Sequence, residues 1–216
     1  MTDALDDRED PDRYLALADG TEIEIRVKGS RFIGQAFHAT GEEDARARLS
    51  VIRRRYHDAT HHCFAVRIGS PEGVLERFDD DGEPSGTAGT PILSALRGGQ
   101  LFDGLVVVTR YFGGTKLGTG GLARAYGKAA REALGAAPTR TVRRLVTLDV
   151  TCTYDDLGVV EALLAREGRG GSSVERTFTD RPRLSIAVPR SRAEEMERAI
   201  IDETGGRAYI GRSEKT

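Results

Sequence analysis

The chain has 216 residues, enough for one large domain or two small ones that each bury a core, and its formal net charge of -2 provides no global attraction to nucleic acid or to an acidic membrane. No apolar run approaches the roughly 20 residues that span a bilayer and no secretory leader follows Met1, so a cytoplasmic protein without a membrane segment is expected. Cys63 and Cys152 sit in separate strand-like segments, which suits buried free thiols in a reducing compartment better than a disulfide framework or a zinc site.

Residues 1–13 hold six acids against two bases and read as a disordered, solvating tail. Over residues 21–27, Ile23, Ile25 and Val27 alternate with charges, the pattern of a half-solvated strand, and a turn at 28–30 leads to a second strand over 31–38. Thr40 and Glu43 have the spacing of a capping box for a helix whose buried stripe is Ala45, Leu49, Ile52 and Tyr56. Acids open that helix and Arg53, Arg54 and Arg55 close it, as the helix dipole favours. A third strand over 62–68 ends at the turn "GSPEG". The stretch "DDDGEPSGTAGTP", residues 79–91, has no periodicity; Thr90 and Pro91 read as the N-cap and first residue of a short helix through Leu96. Leu105 to Val108 have no polar alternate and predict a central strand with both faces covered. The loop "GGTKLGTGG", residues 113–121, then opens a long helix with Leu122, Ala125, Tyr126, Ala129, Ala133 and Leu134 on its buried side.

The segment 136–141 reads as a linker, after which the pattern restarts. A strand containing Val146, Leu148, Val150 and Cys152 precedes a helix over about 155–167 that stops near Gly168. Strands around 174–178 and 184–188 flank the turn "TDRP", and Ser191 and Glu194 have capping-box spacing for a helix that ends at Gly205, before a last strand at 207–211. That order, βαββαβ, is the ferredoxin-like arrangement. The expected architecture is therefore α+β with two domains, residues 14–137 and 141–216, after the acidic tail.

Two loops could carry chemistry. The glycine loop feeds a strand into a helix and would present free N–H groups at the positive end of the helix dipole, with Arg110, Lys116 and Arg124 adding charge. It is not a P-loop, because Thr119 follows Gly118 where that motif needs lysine, and it lacks the third glycine of a dinucleotide fingerprint. A corner alone would explain glycines here; the reading preferred is that Gly113, Gly114, Gly118, Gly120 and Gly121 do both jobs, making the corner and, through exposed N–H groups with Lys116, forming an anion site. Asp79, Asp80, Asp81 and Glu83 of the acidic loop could ligate Mg²⁺ or Ca²⁺, but the EF-hand pattern is absent. Pairing of these carboxylates with Arg110, Lys116 and Arg124 along one cleft wall is the preferred reading. His62 and Cys63 are neighbours on a strand, point to opposite faces, and make no local catalytic pair.

The stretches "DDDGEPSGTAGTPIL" and "VVVTRYFGGTKLGTGGLARAYGKA", with "HHCFAVRIG" and the early "SRFIG", closely resemble the signature of the YigZ/IMPACT family over most of residues 21–135. The resemblance implies an N-terminal domain like the second domain of a small-subunit ribosomal protein, a βα sandwich, and a C-terminal domain like the last domain of elongation factor G. Eukaryotic family members act as translational regulators through a partner and a further domain. The expected function is a non-enzymatic, translation-associated protein that binds RNA, a ribosomal component or a protein of the translation machinery. Its candidate surface comprises Arg110, Gly113, Gly114, Lys116, Gly118, Gly120, Gly121 and Arg124 beside Asp81, Glu83, Ser85, Thr87 and His62. No cofactor, metal or catalytic residue is expected, and a monomer is the simpler assembly. The alternatives are an enzyme acting on a small phosphorylated or carboxylated metabolite between the two loops, and a protein-interaction regulator. Residues 141–216 balance thirteen bases with thirteen acids, so any basic patch must be local.

Overall fold

The apolar run Leu105–Val108 lies at the centre of a five-stranded antiparallel sheet, where all four side chains are buried. The computed structural model describes residues 10–167 and 173–213. They form two compact units: Tyr14–Val142, and Arg143 onward together with the residues before Tyr14. In the first unit the elements are β1 (Arg13–Leu17), β2 (Ile23–Val27), β3 (Ser30–His38), α1 (Glu42–Arg55), β4 (His61–Ser70), β5 (Gly73–Asp79), α2 (Gly89–Gly98), β6 (Leu101–Phe102), β7 (Gly104–Tyr111), α3 (Thr119–Ala136) and β8 (Thr139–Arg143). The large sheet has the order β2-β3-β7-β4-β5, and a small sheet the order β6-β1-β8.

Alternation along the strands divides the core in two. Phe32, Ala36, Cys63, Ala65, Val106 and Val108 pack against α2 and α3. Ile33, Val66, Ile68, Leu105 and Val107 face the predicted α1 stripe of Ala45, Leu49, Ile52 and Tyr56. The six residues expected to form the buried side of α3 are all buried. Its alanines let the helix lie close to the sheet: a Cβ placed on Gly34 of β3 would come within 2.8 Å of the Ala129 carbonyl oxygen.

Several local expectations change. The cap of α1 is Gly41, which has no side-chain hydrogen bond to offer, so Thr40 lies one residue too early for a capping box. The chain continues from β4 through a tight hairpin into β5, a strand not anticipated because it forms a largely solvated edge. Helix α2 starts at Gly89 after Ala88, rather than at a Thr90 cap. The segment read as a linker holds the end of α3 and the start of β8, and the Pro138 carbonyl accepts a hydrogen bond from Ala18 N–H at 2.9 Å.

The second unit contains β9 (Leu145–Thr151), α4 (Tyr154–Glu167), β10 (Val174–Phe178), β11 (Pro182–Pro189), a 3₁₀ turn (Arg190–Arg192), α5 (Ala193–Glu203) and β12 (Tyr209–Ser213). Its sheet order, β10-β11-β9-β12 with every pair antiparallel, is the expected ferredoxin-like topology. Val146, Leu148, Val150, Leu184, Ile186 and Val188 bury one face against α4 and α5. Thr153 caps α4: its hydroxyl accepts from Asp156 N–H at 3.2 Å and donates to Asp156 Oδ2 at 2.7 Å. Ser191 makes no capping box; its N–H and hydroxyl donate to the carboxylate of Asp12 at 2.9 and 2.6 Å. Asp12 is only 3% exposed, so the end of the acidic segment is packed, while residues 1–9 and the helix stop at Gly168 lie outside the described residues.

Candidate anion-binding site

Each glycine of the 113–121 loop answers a different demand. A Cβ on Gly113 would lie 1.9 Å from the carbonyl carbon of Gly29, so the loop passes directly over the β2–β3 hairpin. Gly114 (φ +85°) and Gly118 (φ +71°) occupy the left-handed region that side chains disfavour. Gly120 and Gly121 lie in the first turn of α3 with no positive φ, and a Cβ on Gly120 would approach only the Arg124 guanidinium, at 3.4 Å. Glycine there leaves the backbone at the helix start bare. Gly118 is the N-cap and supplies no side-chain acceptor, so the first-turn N–H groups point outward without a cap. Lys116 and Arg124 are exposed, and neither has an ion-pair partner among the described residues.

Arg110 has a different place. Its guanidinium donates to Glu83 Oε1 at 2.5 Å, and the two side chains are 5% and 4% exposed. Tyr126 O–H donates to the same oxygen at 2.8 Å, and Ser30 Oγ accepts from Arg110 Nη2 at 3.3 Å and from Gly113 N–H at 3.2 Å. Burial, with Cys63 and Glu83 nearby, pushes the Tyr126 hydroxyl far above its usual value, and burial likewise raises the Cys63 thiol. Both remain protonated, and Cys63 has none of the character of an activated nucleophile. Arg110 and Glu83 therefore neutralise one another beneath the loop rather than facing solvent.

The acidic loop is largely satisfied by the protein itself. The Asp80 carboxylate accepts from the N–H groups of Gly86, Ala88 and Gly89 at 2.8–2.9 Å and so caps α2 from outside the helix. Asp81 binds Arg53 at 2.8 Å and the His62 N–H at 2.6 Å. Thr87 is buried and its hydroxyl donates to the Pro84 carbonyl at 2.6 Å, whereas Ser85 is exposed. His62 is buried with Nε2 3.1 Å from the Tyr56 carbonyl, and burial lowers its pKa, so it stays neutral. The expected pairing of the acidic and basic loops is met by Glu83 with Arg110. The other acids bind elsewhere: Asp81 lies against α1, and Asp80 against α2. No group of three or more His, Cys, Asp or Glu among the described residues is placed to hold a metal ion. Sequence reasoning missed Ser30, Tyr126 and the capping role of Asp80; Tyr126 appeared only as a core position, because nothing local marks its hydroxyl.

The molecule is thus a two-domain α+β protein whose first domain carries a glycine-loop helix start over a buried ion pair. Residues 28–134 match the Impact N-terminal domain and residues 150–207 match a domain of unknown function, DUF1949. The IMPACT family member YigZ of Escherichia coli (strain K12) is 37% identical over 195 residues, 89% of this chain and 94% of that protein. A crystal structure of a hypothetical protein aligns with a TM-score of 0.66 at 33% identity, over 95% of this chain and 99% of its own. The two-domain translational regulator Yih1 aligns over 56% of this chain and 47% of its own, at 30% identity and a TM-score of 0.38. The chain belongs to the IMPACT family. No helix among the described residues is long and apolar enough to cross a membrane.

Proposed function

We propose that the protein is a non-enzymatic, cytoplasmic, translation-associated member of this family that binds the phosphate backbone of RNA, free or ribosomal, at the glycine loop. The observation that carries this reading is the start of α3: bare first-turn N–H groups, no Cβ at Gly120 or Gly121, and the exposed cations Lys116 and Arg124 with no acidic partner among the described residues. A helix start of this kind favours phosphate. The translational assignment comes from the family, whose eukaryotic members the sequence resemblance associates with translational control. The burial of Cys63 and Tyr126 in their protonated forms supports a binding role over nucleophilic catalysis.

The test is Lys116→Ala, which removes a charge without changing the backbone. Stability should change by no more than about 0.5 kcal/mol, as for other surface substitutions. RNA affinity should fall several-fold, with the slope of log K against log salt reduced by about one phosphate contact. Unchanged RNA affinity and salt slope in the folded variant would reduce the loop to a corner.

A further inference from the structure

In the second unit, α4 and α5 cover one face of the sheet and leave the other open to solvent. The strand register makes that open face legible. Tyr209 on β12 lies opposite Thr151 on β9, Thr151 opposite Arg183 on β11, and Arg183 opposite Thr177 on β10. One row of side chains therefore runs across all four strands: an aromatic, a small hydroxyl, a guanidinium and a second small hydroxyl. Tyr209 is 73% exposed, the most exposed large hydrophobic residue among the described residues. Arg183, and Arg181 in the adjoining turn, have no ion-pair partner among the described residues. In this unit three strand-borne or strand-flanking arginines on the helix side are paired: Arg176 with Glu161, Arg207 with Asp156, and Arg212 with Glu197. Among the described residues, Arg198 of α5 donates only to the Glu194 carbonyl, at 3.2 Å, but on the open face neither arginine has a carboxylate against it.

These residues line a shallow groove of about 860 Å³, whose floor is the strand backbone at Val150, Leu184 and Gly211, the Val150 and Leu184 side chains lying in the core on the far side. The next row holds Gly211, Asp149, Ser185 and Glu175. Asp149 is fixed by two hydroxyl donors, Ser185 at 2.7 Å and Ser213 at 3.1 Å, one on each of its oxygens. A carboxylate oxygen accepts more than one hydrogen bond, so each retains acceptor capacity towards the groove.

We propose that this sheet face is a second binding site, separate from the glycine loop, and that its ligand is single-stranded RNA. Three features select that chemistry. An exposed tyrosine ring provides a stacking surface for a base, available only when the base is unpaired. Arg183 and Arg181, about two strand spacings or roughly 10 Å from Tyr209, supply charge for the phosphates that follow. Asp149 repels phosphate but accepts a hydrogen bond from a ribose 2′-hydroxyl, the group that separates RNA from DNA. The strand would lie along the Tyr209–Thr151–Arg183–Thr177 row, with its sugars towards Asp149 and clear of Glu175 at the sheet edge. A protein partner fits less well: the row contains one large aromatic and no aliphatic cluster, whereas protein interfaces centre on a desolvated apolar core.

The experiment uses the full chain carrying Lys116→Ala, so that loss of the glycine-loop contribution cannot be confused with loss of this one. The probe is an eight-nucleotide single-stranded RNA with an internal 2-aminopurine, whose fluorescence falls on stacking. The Lys116→Ala protein should still quench the probe. Adding Tyr209→Ala should abolish the quenching and weaken binding about 10-fold, while Tyr209→Phe should retain both. Arg183→Gln should lower the salt slope by about 0.7, one single-strand phosphate contact. Single-stranded DNA of the same sequence should bind several-fold more weakly, and Asp149→Ala should remove that preference. The proposal is overturned if Tyr209→Ala leaves quenching and affinity unchanged, if DNA or duplex RNA binds as tightly as single-stranded RNA, or if cross-linking in a lysate joins residue 209 to protein instead of RNA.

Discussion

Arg110 and Glu83 carry opposite charges into the interior of the first unit, where each is held by the other and by Ser30 or Tyr126. Removing two charges from water is expensive, so such a pair contributes little net stability; losing one member leaves the other stranded. Glu83→Gln should therefore destabilise the first unit by about 3 kcal/mol, whereas Tyr126→Phe, which deletes one hydrogen bond, should cost about 1 kcal/mol. Denaturant unfolding of both variants checks the order, and a larger loss for Tyr126→Phe would contradict it. Asp80 provides a pH dependence. Burial alone would raise its pKa, but the N–H groups of Gly86, Gly89 and Ala88 outweigh burial and hold it below the ordinary 3.8. A depressed carboxyl stabilises the fold above its unfolded value and ceases to do so as pH falls through its folded value. Asp80→Ala should thus cost about 1 kcal/mol near neutral pH, in the range of a lost helix cap, with the difference from wild type shrinking steadily below pH 4. A difference independent of pH would argue against the charged cap.

At the level of elements, the glycine loop separates backbone need from ligand need. Gly113→Ala must displace the Gly29 peptide and should destabilise the first unit strongly, since its Cβ would lie 1.9 Å from backbone carbon. Gly120→Ala meets open space apart from a flexible guanidinium, and in a helix alanine is favoured over glycine by up to about 1 kcal/mol. The Gly120→Ala protein should melt higher and bind RNA more weakly, because a methyl group then stands over the helix start. Thermal melting with a binding titration measures both, and a more stable variant with undiminished binding would show that ligand does not approach there. Strand β5 illustrates the limit of periodicity: its solvated edge position leaves a weak apolar signal, and only the register with β4 reveals it.

For the whole molecule, each unit contains one buried cysteine: Cys63 in the first and Cys152 in the second. Thiol labelling under native conditions can therefore report opening of each separately. Asp12 precedes β1 yet holds Ser191 of the second unit through two hydrogen bonds. Asp12→Ala should accelerate labelling of Cys152 several-fold and leave that of Cys63 unchanged, consistent with loss of about 1–2 kcal/mol from one unit. Equal acceleration at both thiols would show that the units open together.

Local periodicity and composition specify the α+β class, the βαββαβ order of the second unit, the central strand at Leu105–Val108 and the buried side of α3. The glycine loop and the family signature were equally visible. The partners of the polar residues follow from the folded arrangement and not from local pattern. That Arg110 turns inward to Glu83, that Asp80 caps a helix beginning nine residues later, and that Asp12 joins the distant Ser191 depend on which strands become neighbours. The row of Tyr209 and Arg183 is of the same kind. Those residues lie far apart in the chain, and only the pairing of β12, β9 and β11 places them on one face. Local pattern reports which face of an element is apolar; hydrogen bonds and charges are satisfied by whatever the fold brings within 3 Å, at any sequence separation.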